Sequence, residues 1–269
     1  MIRGTIPRGQ AVVLGFICVV LLLGFYSFLS HRQHVKNPDD TTIPSWSQLR
    51  EGAQTAVEPN KRSGERWLVE DSTATLSRLF LGLGVGIAGS IVLGILMGCF
   101  PRIEAFFVPP ISFLAKVPPI ATLAIFFVMV GTGTNMYVAM IAFGVLPTLA
   151  QSIYLAVDEL PTELLHKGYT LGASHTEMIW NVIVPFILPR IIDAVRLQIG
   201  PAVVYLVAAE MVVGDVGFGY RIRLQSRLLN MNVVYPYIVM LAGFGFGMDY
   251  TLRWMRTLCC PWYSARSGD

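Results

Sequence analysis

Long apolar runs constrain this chain more than any other feature. Residues 11–29 carry no charge at all, and further runs with few or no charges lie near 79–100, 103–130, 136–157, 191–213 and 233–252. A helix crossing the hydrocarbon of a bilayer needs about 20 apolar residues, so each run is long enough for one crossing. Composition agrees: 54% of the 269 residues are hydrophobic and only 14% charged, where a soluble domain carries about a quarter. A soluble enzyme, a disordered tail and a nucleic-acid binder are excluded, the last because a net charge of +3 includes no dense basic block. The four cysteines (Cys18, Cys99, Cys259, Cys260) sit in or beside apolar runs without metal-type spacing and read as small packing residues. The class is all-α: a polytopic membrane protein with about six transmembrane helices.

The runs divide the chain. Residues 1–30 read as a short tail, with Arg3 and Arg8, leading into a retained first span rather than a cleaved signal. Residues 31–72 are polar, with a short interfacial helix expected over 43–57 and Trp46 as its headgroup anchor. Five further spans occupy 73–258, and 259–269 form a tail. In the second span Gly82, Gly86, Ser90, Gly94 and Gly98 recur every four residues, a stripe along which another helix can approach backbone to backbone. The competing reading is that membrane helices are simply rich in glycine. The third run is interrupted: Pro109-Pro110 and Pro118-Pro119 flank Lys116. Proline removes a helical hydrogen bond, and irregular backbone at membrane depth survives only inside protein or along a wet cavity. A short helix, a break over 116–119 and a spanning helix ending at Gly131 are expected.

Residues 158–189 form a long polar loop between spans four and five. Pro161 marks a helix start, Ser174 with Glu177 reads as a capping box for a second helix, and Pro185 and Pro189 close it. A helical loop of this kind on one face of a bundle reads as a docking platform, an ordinary surface loop being the alternative. Among groups that could carry chemistry, Glu210 follows thirteen uncharged residues, and intramembrane carboxylates face a bundle interior or a wet cavity. Bracing a neighbouring loop and a place in a solute pathway are equal readings for it. Lys116 is either an interfacial lysine snorkelling to headgroups or a cation beside a pore. Asp193 with Arg196, and Asp249 with Arg253, are spaced to offset each other on one helix. His31 and His34 read as solvated, so no metal site is expected, and nothing reads as a catalytic pair. No G-x-x-x-x-G-K-[ST] loop is present to cradle nucleotide phosphates. Lysine and arginine are too evenly divided between the two sides to settle orientation, mildly favouring the N-terminus inside.

The platform loop also carries a resemblance. His166-Lys167-Gly168-Tyr169-Thr170-Leu171-Gly172 is followed, after nine residues, by Val182-Ile183-Val184-Pro185. This resembles the E-A-A-x-x-x-G, nine residues, I-x-L-P signature of permease subunits of bacterial ABC importers. Gly172-Ala173-Ser174 is similar to the family's G-A-S, while His-Lys-Gly replaces Glu-Ala-Ala, leaving Glu163 as the nearest acid. Leu76-Ser77-Arg78-Leu79 leading into the glycine stripe, Lys116-Val117-Pro118-Pro119, and Ala208-Ala209-Glu210-Met211 followed by Gly214-Asp215-Val216-Gly217-Phe218-Gly219-Tyr220, resemble the nitrate, sulfonate, taurine and bicarbonate branch. The resemblance implies a type I ABC importer permease fold in the bacterial cytoplasmic membrane, with the platform and both termini cytoplasmic. It also implies alternating access driven by two ATP-binding subunits, a second permease chain (the simpler case a homodimer) and an extracytoplasmic substrate-binding protein. ATP and magnesium would be held by the partner subunits, with no cofactor in this chain. A self-contained secondary transporter or channel is the alternative, but internal repeats with paired broken helices, expected of that class, are not found.

Overall fold

The computed structural model describes residues 7–38, 40–59, 64 and 66–264. Arg3, Lys61, Arg62 and the end of the C-terminal tail lie outside the described residues. Within them the regular structure is helical, apart from one isolated bridge between Pro59 and Arg66. Five helices are long and apolar enough to cross a membrane, and a sixth crossing is available if one sharply bent pair counts as a single span.

The chain forms two compact units. The first comprises residues up to Leu68 together with Ile222–Ile238. Its helix α1, Arg8–Lys36, runs 29 residues, longer than the apolar run at its centre. Much of its length is a sleeve of exposed apolar side chains such as Phe16, Leu21 and Phe25, a face that suits lipid rather than water. The helix expected over 43–57 is α2, Trp46–Val57, starting three residues later than 43 because Ser45 caps it in a box with Gln48. The end of α1 is tied to the approach to α2: the Tyr26 hydroxyl donates to the Pro44 carbonyl at 2.6 Å, and the Trp46 indole donates to Ser27 at 3.0 Å. His34 spends its ring nitrogens on the Ser30 carbonyl and Gln48.

The second unit comprises Val69–Arg221 and residues from Val239 onward. Helix α3, Trp67–Cys99, begins well before residue 79, so the boundary expected at 72 falls inside a helix, as that at 30 falls inside α1. A helix continues past the hydrocarbon wherever capping and neighbours satisfy its backbone, which apolar length alone does not reveal. The small-residue stripe of α3 lies against α6, Thr134–Asp158. A methyl placed on Gly82 would sit 2.7 Å from Ile141 Cβ, on Gly94 2.6 Å from Ile153 Cβ, and on Gly98 2.5 Å from Val157 Cβ. Gly86 faces Val145, and Ser90 donates to the Gly86 and Leu146 carbonyls. These β-branched residues on α6 are buried.

Two expectations are corrected here. The short helix is α4, Pro101–Leu114, which contains Pro109 and Pro110 without interruption, and the break follows it. After the break the chain makes a 3-10 turn, Pro119–Thr122, and then α5, Leu123–Val130. At roughly 1.5–2 Å per residue these twelve residues reach about 20 Å, short of the about 30 Å of hydrocarbon, and they bend from α4 by 85°. The separate spanning helix is therefore replaced by a broken pair. Pro185 and Pro189 likewise close nothing: α8, His175–Met178, passes through a π turn, Ile179–Ile183, into α9, Val184–Val213. Pro185 falls in the first turn of α9, where a missing amide hydrogen is harmless, and a π turn absorbs the change of register.

Candidate functional site

The platform is built by two helix ends meeting. Helix α7, Thr162–Thr170, follows Pro161, which stands at its N-cap. It stops in a Schellman arrangement: the Ala173 amide donates to the Gly168 carbonyl at 3.1 Å, and the Gly172 amide to Tyr169 at 3.0 Å. Gly172 sits at φ +87°, the left-handed region that side chains with a Cβ resist. Gly168, standing where the family signature has alanine, faces the Met178 thioether, so a methyl there would have to push that flexible side-chain end aside. The departure from Glu-Ala-Ala thus has a packing partner in the next helix. Ser174 accepts from the Glu177 amide while Glu177 accepts from the Ser174 amide at 2.8 Å, closing the capping box that starts α8. Glu163, His166 and Lys167 are exposed and Ala173 is half-buried. Leu171, 88% exposed, and Trp180 put apolar surface on the outer face. Beneath lies a cavity of about 440 Å³ against the ends of α3 and α6, lined by Gly98, Val157, Leu165, Met178 and Ile183 among others. Glu159 and Arg190 pair across the two roots of the platform.

The break between α4 and α5 is seated rather than free. Tyr154 of α6 donates to Glu104 and Gln151 donates to Ser112, both at 2.7 Å, which fastens α4 to α6. Pro119 and the Tyr205 ring of α9 converge on Gly144, whose missing side chain makes room for both. Val117 and Pro119 are half-buried, whereas Lys116, Pro118 and Ile120 are exposed. The cation therefore stands at the edge of the break, with the prolines folded against α6 and α9.

A third constellation was only half visible in the sequence. Glu210, in the last turn of α9, is fully buried. Arg78 donates to it at 2.9 Å, Thr75 donates to both of its oxygens at 3.0 Å, and the Gly219 amide donates at 3.0 Å. Arg78 also donates to the Val216 carbonyl at 2.8 Å and lies 4.3 Å from the centroid of the Tyr137 ring. Beside it Asp71 is equally buried, bonded by Arg221 at 2.7 Å and by the Gly217 amide at 3.0 Å, while Thr75 accepts from the Phe218 amide at 2.9 Å. The glycines of Gly214-Asp215-Val216-Gly217-Phe218-Gly219 let this segment wrap the carboxylate: a methyl on Gly217, at φ +122°, would lie 2.5 Å from Glu210 Oε1. Two acids and two guanidiniums make a neutral clasp holding the segment after α9 to α3. Of the two readings open for Glu210, this geometry supports bracing. Asp71 and Thr75 were the missed members, while Arg78 stood in the Leu76–Leu79 motif without a role; the spacing of four and three residues puts all three on one helix face.

Charged residues on α9 and on α11, Met231–Cys259, form a second network. Arg196 donates to Asp249 at 2.9 and 3.0 Å and to Asp193 at 3.1 Å, and Arg256 donates to Asp193 at 2.8 Å. Asp249 thus takes its hydrogen bonds from Arg196 across the helix pair; Arg253, the partner expected on its own helix, acts only at a distance. Among the described residues no group of His, Cys, Asp or Glu is arranged to hold a metal ion.

Residues 90–256 match the family described as the binding-protein-dependent transport system inner membrane component. The chain belongs to this family. The permease is 28% identical over 190 residues to the taurine transport system permease protein TauC of Escherichia coli (strain K12), a match covering 71% of this chain and 69% of that protein. It is 26% identical to the putative aliphatic sulfonates transport permease protein SsuC of Bacillus subtilis (strain 168), covering 72% and 70%. It is 23% identical to the nitrate import permease protein NrtB of Synechocystis sp., covering 70% and 68%. In fold it is similar to a chain of the inward-facing MetNI methionine ABC transporter, with a TM-score of 0.63 at 19% identity, covering 72% of this chain and 96% of that one. The permease is a multi-pass membrane subunit of an ABC importer with the type I fold, a system in which separate ATPase subunits and a substrate-binding protein take part.

Proposed function

We propose that the permease imports a small oxyanion-type solute, of the class containing taurine, other sulfonates, nitrate and bicarbonate, across the bacterial cytoplasmic membrane. The observation that carries this is the family match over 90–256 together with relatives named for taurine, aliphatic sulfonates and nitrate. In this reading α7 and α8 face the cytoplasm, as do both termini, and an ATPase subunit seats on the surface around Gly172 and Leu171. ATP and magnesium stay on the ATPase subunits, and two copies of the permease enclose the path. The neutral clasp around Glu210 suits an anionic cargo, since a free carboxylate there would repel it.

Nucleotide-driven closure of the ATPase pair would move the platform and, through the root of α9, the bundle. The α4–α5 break, bearing Lys116, is the element proposed to border the path. The test is reconstitution of permease, ATPase subunits and binding protein in proteoliposomes, with uptake of radiolabelled taurine and of nitrate measured separately. Uptake that needs ATP and binding protein supports the reading. Uptake driven by an ion gradient with the permease alone would overturn it in favour of a secondary transporter.

A further inference from the structure

Two helices of this chain stop in the same way with different residues. Helix α7 ends in a Schellman arrangement with Gly172 in the left-handed position. Helix α10, Phe218–Arg227, is followed by the same pair of bonds: the Asn230 amide donates to the Gln225 carbonyl at 3.0 Å and the Leu229 amide to Ser226 at 3.1 Å. The residue in the left-handed position here is Leu229, at φ +58°, which no other described residue with a side chain adopts. Glycine serves that position without steric conflict and asparagine tolerates it, so a leucine there is unfavourable for the turn itself. Nor does Leu229 repay the strain by packing inward: it is 66% exposed, and Leu228 beside it 60%. The turn is nonetheless held firmly. Thr41 donates to the Leu229 carbonyl at 2.7 Å, the Asn230 side chain donates to Gln225 at 2.9 Å, and Gly52 of α2 packs on the Asn232 backbone. All of these residues belong to the first compact unit.

We propose that Leu228 and Leu229 form an apolar knob that docks the extracytoplasmic substrate-binding protein. The inference rests on the importer reading and its topology, in which the segment between α9 and α11 emerges outside. A strained side chain held outward by a pinned backbone is a feature of ligand clamps and contact sites. The family to which the chain belongs requires a binding protein as partner. Charge narrows the chemistry of the contact: among the described residues of this unit, exposed Arg32, Lys36, Arg50, Arg66 and Arg227, the last adjoining the leucine pair in sequence, outweigh exposed Glu51 and Glu58. The matching surface on the binding protein is therefore an apolar socket with an acidic rim, the usual combination of buried anchor and charged border.

Leu229→Gly separates docking from folding, because it relieves the turn rather than straining it. The assembled permease–ATPase complex in nanodiscs, titrated with the purified binding protein of the same system, should show stimulated ATP hydrolysis with the wild-type chain. Leu229→Gly should keep its melting temperature and basal hydrolysis while needing about tenfold more binding protein for half-maximal stimulation, and Leu228→Ser should move the same way. Equal titrations for wild type and both variants would overturn the knob while leaving the importer reading standing; a wild-type complex that ignores the binding protein would overturn both. A bimane fluorophore on Leu229→Cys should respond to added binding protein. Quenching by brominated lipid with no such response would assign the knob to the membrane surface instead.

Discussion

A buried carboxylate is tolerated when its partners are built into the fold, and Glu210 has three: Arg78, Thr75 and the Gly219 amide of the loop drawn in around it. Removing one partner of such a pair strands the other's charge, at about 3–5 kcal/mol, whereas replacing both by apolar groups is far milder. Arg78→Met should therefore lower the thermal stability of the purified permease sharply, and Arg78→Met with Glu210→Leu should recover much of the loss. A double variant as unstable as the single one would show that the pair is not the source. Glu210 was legible as an acid ending an uncharged run. Asp71 and Thr75 were not, because they lie where the polar segment passes into α3 and nothing in their neighbourhood marks a buried face. At Gly172 the left-handed backbone sets the outcome. Gly172→Leu adds a strain of about 1–2 kcal/mol at the stop of α7 without touching the spans. The permease should still insert, while transport-coupled hydrolysis by its ATPase subunits falls; normal transport by this variant would remove the platform from the coupling route.

At the level of elements, the stripe on α3 shows what periodicity can and cannot reveal. Five small residues at four-residue spacing mark a face for close approach, but not which helix approaches; that depends on Ile141, Val145, Ile153 and Val157 of α6. A leucine at Gly94 would have to displace Ile153 and the Ala150 carbonyl, whereas Gly84, midway between Gly82 and Gly86 in sequence and off the stripe, has nothing within 4 Å. Gly94→Leu should cut the yield of assembled complex and lower its melting temperature, and Gly84→Leu should leave the fold of the single chain intact. Equal behaviour of the two would mean that the α3–α6 contact is not what holds the unit together. The proline pairs announced an interruption, yet Pro109-Pro110 is absorbed within α4 and the bend falls after Lys116. Which pair breaks the helix is decided by what seats it: Pro119 finds a recess at Gly144 beside Tyr205, and that recess is supplied by residues far away in the chain. Pro185 misled for a related reason, since a π turn and the first turn of α9 accommodate what an isolated helix would not, while Pro189 is carried inside α9.

Across the whole molecule, alternating access needs some parts held fixed and others free to move. The clasp at Glu210 and the network of Arg196, Asp249, Asp193 and Arg256 are closed sets of charge pairs that resist separation, and the α3–α6 seam is packed at backbone distance. The α4–α5 segment is different: its bend is 85°, α5 has no fully buried residue, and Lys116, Pro118 and Ile120 face outward. Backbone of this kind at membrane depth needs protein or water beside it, and on one side α6 and α9 supply the protein. If the other side borders the solute path, single cysteines at Val117 and Ile120, in a background without the four native cysteines, should react with a water-soluble thiol reagent. Labelling at Ile120 should exceed that at half-buried Val117 in the resting complex, and the ratio should change when the ATPase subunits are trapped with nucleotide, because in the proposed mechanism the platform moves α9, against which the break is seated. Failure of both cysteines to react in either state would place the break in dry protein or lipid, and the path would then have to be sought along other faces of α6 and α9.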